Sequence, residues 1–270
     1  MKPKSKVLII AGSDSSGGAG IQADIKTVTS LGSYAMTAVT AVTSQNTKGV
    51  KSIISIPKKN LQQQITMVLD DIGANAAKIG MLHNTSVIKC VHRVLKRYKI
   101  KNIVLDPVMI SKGGSRLVNR NSIKYLKKLL LPICDVVTPN IPEAEVLTGY
   151  SILNKLDMIK AAKKIISMGA KNVLLKGGHL KNKMIFDIFV SKNKIKIFQK
   201  RKIKTKHTHG TGCTLSSALA TCLSQKKNIH KSCKISLKYV DKAISTAPGY
   251  GKGFGPLNHL VSFNLRKTDA

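Results

Sequence analysis

A short segment near position 210 combines flexible backbone, hydroxyl groups and a thiol immediately before an apolar helix. It reads Thr208-His209-Gly210-Thr211-Gly212-Cys213-Thr214. Glycines on both sides of Thr211 let successive backbone N–H groups converge on one point, and a helix start adds positive potential there. Phosphoryl transfer gathers negative charge on the oxygens of the moving group, which such N–H groups stabilise. The same field lowers the pKa of a thiol, so we expect a depressed pKa for Cys213.

A second loop of small residues follows a predicted strand at 7–11. It runs from Gly12 to Gly20, and its segment 18–23 matches the dinucleotide-binding pattern GxGxxA. A dinucleotide site also needs an acidic residue about twenty residues further on. None occurs between Asp24 and Asp70, and the Gly-Lys-Ser or Gly-Lys-Thr of a P-loop is absent from the sequence. We therefore favour a loop whose N–H groups approach a polar or anionic ligand, with a plain helix entry as the alternative.

The composition is strongly basic but otherwise typical of a globular protein. The formal net charge is +34, and 40 of the 46 basic residues are lysine. The lysines spread along the whole chain, and lysine, asparagine and isoleucine all have A/T-rich codons. Compositional drift therefore explains the charge, and we expect no specific nucleic-acid partner. A non-catalytic, basic nucleic-acid-binding protein is kept as the alternative from another class.

Cysteine usage and hydropathy limit the location of the protein. The five cysteines are scattered and form no CxxC pair, which indicates neither a disulfide framework nor a zinc site. The apolar run at 7–11 is too short for a membrane span or a signal peptide. We expect a cytoplasmic protein with no membrane partner, and a single domain over residues 1–270.

Short apolar runs alternate with amphipathic stretches along most of the chain. The predicted strands lie at 7–11, 35–43, 53–56, 76–79, 103–105, 136–137 and 173–175, with a hairpin at 185–190 and 195–198. The predicted helices lie at 21–31, 60–72, 86–98, 122–131, 156–168, 214–223 and 229–247, and a proline-rich turn follows residue 137. This alternation predicts an α/β fold with a mainly parallel sheet covered by helices on both faces. Ligands of such folds bind beyond the carboxyl ends of the strands, so loops that follow strands are the candidate sites.

The two glycine loops together resemble those of the hydroxymethylpyrimidine/phosphomethylpyrimidine kinases of thiamine biosynthesis, in the ribokinase-like superfamily. Further matches lie at 41–47, 78–82, 105–109, 138–145, 175–179 and 253–259. The resemblance implies a ribokinase-like, three-layer α/β/α sandwich with a mostly parallel central sheet, and ATP and Mg²⁺ as cofactors. It also implies two successive phosphorylations, first of 4-amino-5-hydroxymethyl-2-methylpyrimidine and then of its monophosphate. We expect a homo-oligomer, specifically a dimer.

The resemblance assigns substrate contacts to particular residues. Gln45 contacts the aminopyrimidine edge, which needs one donor and one acceptor, as a glutamine side chain provides. The other substrate-pocket positions are Gly12, Asp24, Met81 and Val108. Met81 would also suit a core position, and Asp24 a solvated helix surface, so both interpretations stay open.

The resemblance also assigns the transfer machinery. The catalytic positions are Gly210, Thr211, Gly212 and Cys213. The positions implied for ATP are Asn140, Lys176 and Thr208, and those implied for magnesium are Asp106 and Glu143. Magnesium retains much of its hydration, so water-mediated contacts are expected there.

Cys213 stands where most ribokinase-like sugar kinases have a catalytic aspartate. We hypothesise that the thiol helps to remove the alcohol proton in the first phosphorylation. The nucleophile of the second step is a phosphate with a second pKa of about 6, which needs no strong base. A neutral thiol also repels the phosphorylated substrate less than a carboxylate does. A pyridoxal kinase is the nearest alternative, because it too acts on a hydroxymethyl group of a heteroaromatic ring.

Overall fold

The computed structural model describes residues 2–109, 114, 117–180 and 183–261. The strands are β1 (Lys6–Ala11), β2 (Tyr34–Val39), β3 (Ala41–Asn46), β4 (Gly49–Ser55), β5 (Ala76–Ile79), β6 (Ile103–Leu105), β7 (Val136–Val137), β8 (Asn172–Leu175), β9 (Met184–Ser191) and β10 (Ile195–Arg201). The helices are α1 (Gly20–Ser30), α2 (Lys58–Asp71), α3 (Thr85–Arg97), α4 (Arg120–Tyr125), α5 (Ile141–Thr148), α6 (Lys155–Ser167), α7 (Thr211–Ser224) and α8 (Ile229–Ser245). A π-helical turn (Leu126–Leu130) and a 3₁₀ turn (Leu131–Ile133) continue α4. The predicted alternation of strands and helices is confirmed.

Eight of these strands form one sheet in the order β10-β9-β8-β7-β6-β5-β1-β2. Neighbouring strands from β2 across to β8 run parallel. β9 pairs antiparallel with both β8 and β10, which confirms the predicted hairpin. Because the parallel strands point the same way, the loops that follow β1, β5, β6, β7 and β8 meet at one edge of the sheet.

Helices cover both faces of this sheet, which confirms the three-layer α/β/α arrangement. Side chains alternate between the faces of each strand, so Leu8 and Ile10 of β1 pack with helices α2 to α6. Val7 and Ile9 of the same strand pack on the other side with α1, α7 and α8. Burial on both faces explains why the strands are continuously apolar in the sequence. Within the described ranges, no helix is long and apolar enough to cross a membrane.

Residues 35–43 do not form the single strand that the sequence predicts. β2 ends at Val39, β3 begins at Ala41, and Thr40 between them is buried. The Thr40 N–H donates to the Ala11 carbonyl at 2.9 Å, and its hydroxyl donates to the Met81 carbonyl at 2.7 Å. These bonds fix a corner at the end of β1, so β3 leaves the main sheet and pairs antiparallel with β4.

The sequence predicts a proline-rich turn after residue 137 and no helix there, but helix α5 begins at Ile141, directly after the connection at 138–140. The Asn140 side chain accepts a hydrogen bond from the Glu143 N–H at 2.9 Å, and Glu143 Oε2 accepts one from the Asn140 N–H at 2.8 Å. Pro142 in the first turn needs no N–H partner, and Gly149 ends the helix with a φ of 77°. This capping box holds the buried Glu143 at the edge of the sheet.

Lys78 lies inside the molecule, on β5, which is paired on both sides by β6 and β1. Lys78 is 0% exposed, and its Nζ lies 2.7 Å from Oδ2 of the equally buried Asp24 of α1. Ser217 of α7 donates to the other Asp24 oxygen at 2.7 Å. Burial alone would lower the pKa of Lys78, but Asp24, with smaller contributions from Cys213 and Asp106, raises it above its usual value. The charged pair therefore ties β5, α1 and α7 together.

Breaking this pair should destabilise the fold strongly. We expect Lys78→Met to lower the free energy of unfolding by about 3–5 kcal/mol, because it leaves the Asp24 carboxylate buried without a countercharge. Lys78→Met/Asp24→Asn should recover at least half of this loss, since no uncompensated charge remains. Urea denaturation measures both values.

Lys171→Met is the matched control, because it breaks an ion pair with Asp135 in which the lysine is 63% exposed. Its expected effect is below about 1 kcal/mol. A loss for Lys78→Met no larger than that of Lys171→Met would contradict the account of the buried pair.

Candidate active site

The candidate site lies at the edge of the sheet where the parallel strands end. Loop 12–20 follows β1, Asp106 follows β6, and Lys176 follows β8. The first turn of α7 meets the same edge, since Gly212 lies against Asp106 and Lys176. The topology thus brings together residues that are far apart in the sequence.

Three buried or largely buried ionisable side chains form a charged cluster, defined as Asp106, Glu143 and Lys176. Lys176 Nζ lies 2.8 Å from Asp106 Oδ1 and 3.9 Å from Glu143 Oε2. Thr138 Oγ1 lies 3.3 Å from Asp106 Oδ1. A Cβ at Gly212 would lie 3.1 Å from Lys176 Nζ and 3.2 Å from Asp106 Oδ2. Glycine at 212 therefore lets the start of α7 come close to the charged cluster.

The charged cluster has the chemistry of a partial magnesium site. Burial raises the pKa of Glu143 to about 7, with Lys176 opposing and Asp106 adding to the shift. Burial alone would lower the pKa of Lys176, but Asp106 and Glu143 raise it. Two carboxyl groups face one ammonium, which fits a cation bound through one or two carboxylates, with water and phosphates completing its shell. Among the described residues, no three or more His, Cys, Asp or Glu side chains gather into a full ligand set.

The backbone at the start of α7 has an arrangement that could hold an anion. Gly210 has a φ of 80°, and a Cβ there would overlap the Gly18 carbonyl, so this segment packs directly on the first glycine loop. Thr211 is tied back through its hydroxyl, which donates to the Thr208 carbonyl at 2.7 Å. Thr214 is bonded through its N–H to the Gly210 carbonyl at 2.9 Å. The N–H groups of Gly212 and Cys213 lie in the first turn of α7. No preceding turn of helix supplies carbonyl partners for N–H groups at such a position.

The expected depression of the Cys213 pKa is wrong. Burial raises the pKa of this thiol to about 12, and the nearby carboxylates of Asp24 and Asp106 add to the increase. Lys78 opposes the shift without reversing it. The helix start is visible in the sequence, but burial and the two neighbouring carboxylates outweigh its field. Cys213 is therefore a neutral thiol at physiological pH.

Gln45 of β3 is attached to the first glycine loop by its backbone. Ser15 Oγ donates to the Gln45 carbonyl at 2.8 Å and accepts from the Gln45 N–H at 2.8 Å. The Gln45 side-chain amide lies 3.2 Å from His209 Nε2, and that same ring nitrogen lies 2.7 Å from Asp14 Oδ2. The residue predicted to hold the ring thus contacts the residue that precedes Gly210.

An apolar surface lies beside β3. Ala41, Met81 and Leu117 form its buried part, and Val108 packs against them. Gly12 adjoins it, because a Cβ there would overlap the Met81 side chain. Three of the predicted pocket residues, Gly12, Met81 and Val108, are therefore close together.

Other predicted site residues have structural partners. Asp24 has no exposed surface, since Lys78 and Ser217 occupy its two oxygens, and it lies beneath the site rather than on it. The Asn140 side chain caps α5. Thr208 contributes the carbonyl that holds Thr211.

Sequence reasoning assigned no role to Asp14, His209 or Lys78. Asp14 and His209 form a buried pair that joins the two glycine loops. Their positions inside the two motifs were the available signal. A lysine in the otherwise apolar run 76–79 was the signal for Lys78.

Comparison with known proteins gives a consistent result. A family model described as phosphomethylpyrimidine kinase matches residues 14–258. The chain is 44% identical to the hydroxymethylpyrimidine/phosphomethylpyrimidine kinase of Bacillus subtilis, over 95% of each chain. It is also 44% identical to the thiamine biosynthesis bifunctional protein ThiED of Geobacter sulfurreducens, over 96% of this chain but 53% of that protein. The chain therefore spans about half the length of this second relative.

The fold is also that of a solved kinase. An ADP complex of Bacillus subtilis pyridoxal kinase superposes with a TM-score of 0.88 at 34% identity, covering 94% of this chain and 97% of that one. This likeness confirms the ribokinase-like α/β sandwich. With the family model matching most of its length, the chain belongs to the phosphomethylpyrimidine kinase family.

Proposed function

We propose that this protein is an ATP-dependent kinase of thiamine biosynthesis. It phosphorylates 4-amino-5-hydroxymethyl-2-methylpyrimidine to the monophosphate and then to the diphosphate. The observation that carries this proposal is the placement of residues 209–213. At one end His209 lies 3.2 Å from the Gln45 amide, and at the other end Gly212 adjoins the charged cluster. A ring at Gln45 and a triphosphate at the charged cluster would therefore meet at the start of α7.

The ring site combines one polar group with an apolar surface. The Gln45 side chain supplies a donor and an acceptor to the aminopyrimidine edge. Gly12, Met81 and Val108 supply the apolar surface for the ring and its methyl group. Asp24 has no exposed surface and contributes through its ion pair with Lys78.

The phosphate site lies on the other side of the same segment. Lys176 and the N–H groups of Gly212 and Cys213 provide positive charge for the phosphates of ATP. Asp106 and Glu143 would hold Mg²⁺, which neutralises phosphate charge during transfer when bound. The ADP complex of the pyridoxal kinase relative supports a nucleotide in this fold.

The supporting residues fix this geometry. Asn140 holds Glu143 through the capping box, and Thr208 holds Thr211 in the first turn of α7. Gly210 and Gly212 allow the close approach to Gly18 and to the charged cluster. The N–H groups then face the oxygens that gain charge in the transition state.

Direct product analysis tests the proposal. The purified protein is incubated with ATP, MgCl₂ and the pyrimidine alcohol, and products are followed by mass spectrometry. We expect the monophosphate first and the diphosphate later. Pyridoxal in place of the pyrimidine is the control for the nearest alternative. Monophosphate alone would remove half of the proposal, and phosphorylation of pyridoxal alone would replace it.

The two steps should depend differently on Cys213. We expect Cys213→Ala to slow the first phosphorylation more than the second, and most at high pH, because only the thiolate form of Cys213 can accept the alcohol proton. The second step should fall much less, since a phosphate nucleophile is already ionised. With the thiol pKa raised to about 12, the thiolate fraction rises with pH, so the first step of the wild type should accelerate from pH 7 to 9. Single-turnover assays started from each substrate separate the two rates.

Cys222→Ala is the control for this comparison, because Cys222 is a buried cysteine of the same helix α7. It should change both steps by the same factor. Equal losses in both steps for Cys213→Ala would contradict the division of labour.

We also propose that the protein is a homodimer. Val42 of β3 and Ile54 of β4 lie opposite each other in the two-stranded ribbon and are 46% and 68% exposed. An exposed apolar pair on a ribbon outside the main sheet favours a second copy of the chain as its cover.

Light scattering tests the dimer. It should give twice the monomer mass of 29.3 kDa, and Ile54→Lys should give the monomer. Leu153→Lys, at a site 78% exposed, is the control. A monomeric wild type at micromolar concentration would contradict the dimer.

A further inference from the structure

The side-chain amide of Gln45 lies between two hydrogen-bonding neighbours. Its nitrogen position is 3.2 Å from His209 Nε2, and its oxygen position is 3.2 Å from Thr43 Oγ1. The oxygen and the NH₂ group of an amide have nearly the same size, so the amide fits this space in either of two orientations. The protons of the two neighbours decide between them.

Thr43 acts towards Gln45 as an acceptor. Its hydroxyl has one proton, which is donated to the Ser13 carbonyl at 2.7 Å. The lone pairs of Oγ1 therefore face the Gln45 amide. An NH₂ group on this side of the amide would be satisfied, whereas an oxygen would not.

His209 acts towards Gln45 as a donor. Its Nε2 lies 2.7 Å from Asp14 Oδ2, and the Ala19 N–H donates to the same oxygen at 2.8 Å. Burial alone would raise the pKa of Asp14, but hydrogen bonds from His209 and Ser16 lower it to about 2. Asp14 is thus a carboxylate, which fixes the proton of the imidazole on Nε2. An amide nitrogen on this side would set two N–H donors against each other.

We infer that His209, held by Asp14, is a positioning residue that orients the Gln45 amide with its oxygen towards His209 and its nitrogen towards Thr43. The Nε2 proton is then shared between Asp14 and the amide oxygen, and the amide NH₂ donates to Thr43 Oγ1. One N–H and one oxygen lone pair of Gln45 remain for the substrate. This inference rests on the proposed function. It adds which end of the Gln45 amide binds the amino group of the ring and which end binds the ring nitrogen.

The assigned orientation determines which way the ring faces. In the pyrimidine alcohol the amino group lies between a ring nitrogen and the carbon that bears the hydroxymethyl group. The amino group binds the amide oxygen on the His209 side, and the ring nitrogen accepts from the amide N–H on the Thr43 side. The hydroxymethyl group, next to the amino group, then lies on the His209 side, where the chain continues into Gly210 and the start of α7. The opposite amide orientation would direct it away from α7.

A substrate analogue with the reversed pattern tests this orientation. The 4-oxo analogue of the pyrimidine alcohol offers a carbonyl acceptor where the substrate has its amino donor, and a ring N–H where the substrate has its acceptor. The kcat/KM values of both compounds are measured for the wild type, His209→Phe, His209→Gln and Thr43→Val. His207→Phe is the control, because the His207 ring packs against Gly255 and its Nδ1 has no hydrogen-bond partner among the described residues.

The wild type should strongly prefer the 4-amino compound. His209→Phe keeps a ring of similar size but has no donor, so the preference should fall about tenfold, which corresponds to one net hydrogen bond. Thr43→Val should lower the preference similarly from the other side of the amide. His209→Gln offers an N–H and should retain most of the preference, and His207→Phe should leave the ratio unchanged.

Equal losses for both compounds in His209→Phe and Thr43→Val would overturn the inference, because His209 would then serve packing alone. In that case phosphorylation of the pyrimidine alcohol by the wild type would leave the proposed function standing. A wild type that phosphorylates neither compound would overturn the proposed function itself.

Discussion

The site depends on one close approach, that of residues 209–213 to the edge of the sheet. A Cβ at Gly210 would overlap the Gly18 carbonyl, and a Cβ at Gly212 would lie only 3.1 Å from Lys176 Nζ, so the segment fits closely at both positions. This contact places the first turn of α7 between the proposed ring site on β3 and the charged cluster beyond β6 and β8. If a side chain at 210 or 212 pushed the start of α7 outwards, the helix would no longer adjoin both the proposed ring site and the charged cluster. Reacting groups must be held within a fraction of an ångström.

Buried ionisable side chains lie next to this contact in two places, beneath the site and at the edge of the sheet. Beneath the site, the Lys78–Asp24 pair joins β5 to α1 and, through Ser217, to α7. At the edge of the sheet, the largely buried Lys176 lies between two carboxyl groups that could bind a cation. Burial keeps the pKa of the Cys213 thiol high, the carboxylates of Asp24 and Asp106 add to the increase, and Lys78 opposes it, so the thiol remains neutral. In the proposed function, a neutral group at this position would repel neither the alcohol of the first reaction nor the anionic monophosphate of the second.

The strands of the main sheet could be predicted from the sequence, whereas the corner at Thr40 and helix α5 could not. The bounds of β5, β6 and β7 agree with the predicted 76–79, 103–105 and 136–137, because strands buried on both faces are continuous apolar runs. The corner at Thr40 escaped prediction since it depends on bonds to Ala11 and Met81, which are distant in sequence. Helix α5 escaped because Pro142 suggested a turn, although the capping box was present in the residues. The motifs at the ends of the strands predicted which residues lie near each other at the sheet edge. The raised pKa of Cys213 could not be predicted, because it depends on how deeply the thiol is buried. The residue roles, the single domain over residues 1–270 and the cytoplasmic location stay predictions.

The central claim is that one segment, residues 209–213, joins ring recognition to phosphoryl transfer. A crystal structure with the pyrimidine alcohol and a non-hydrolysable ATP analogue tests it most directly. The account predicts the ring edge on the Gln45 amide, the terminal phosphate at the start of α7, and the hydroxymethyl oxygen between them beside Cys213. A ring bound away from Gln45, or a hydroxymethyl group directed towards Thr43 with the phosphates elsewhere, would contradict it.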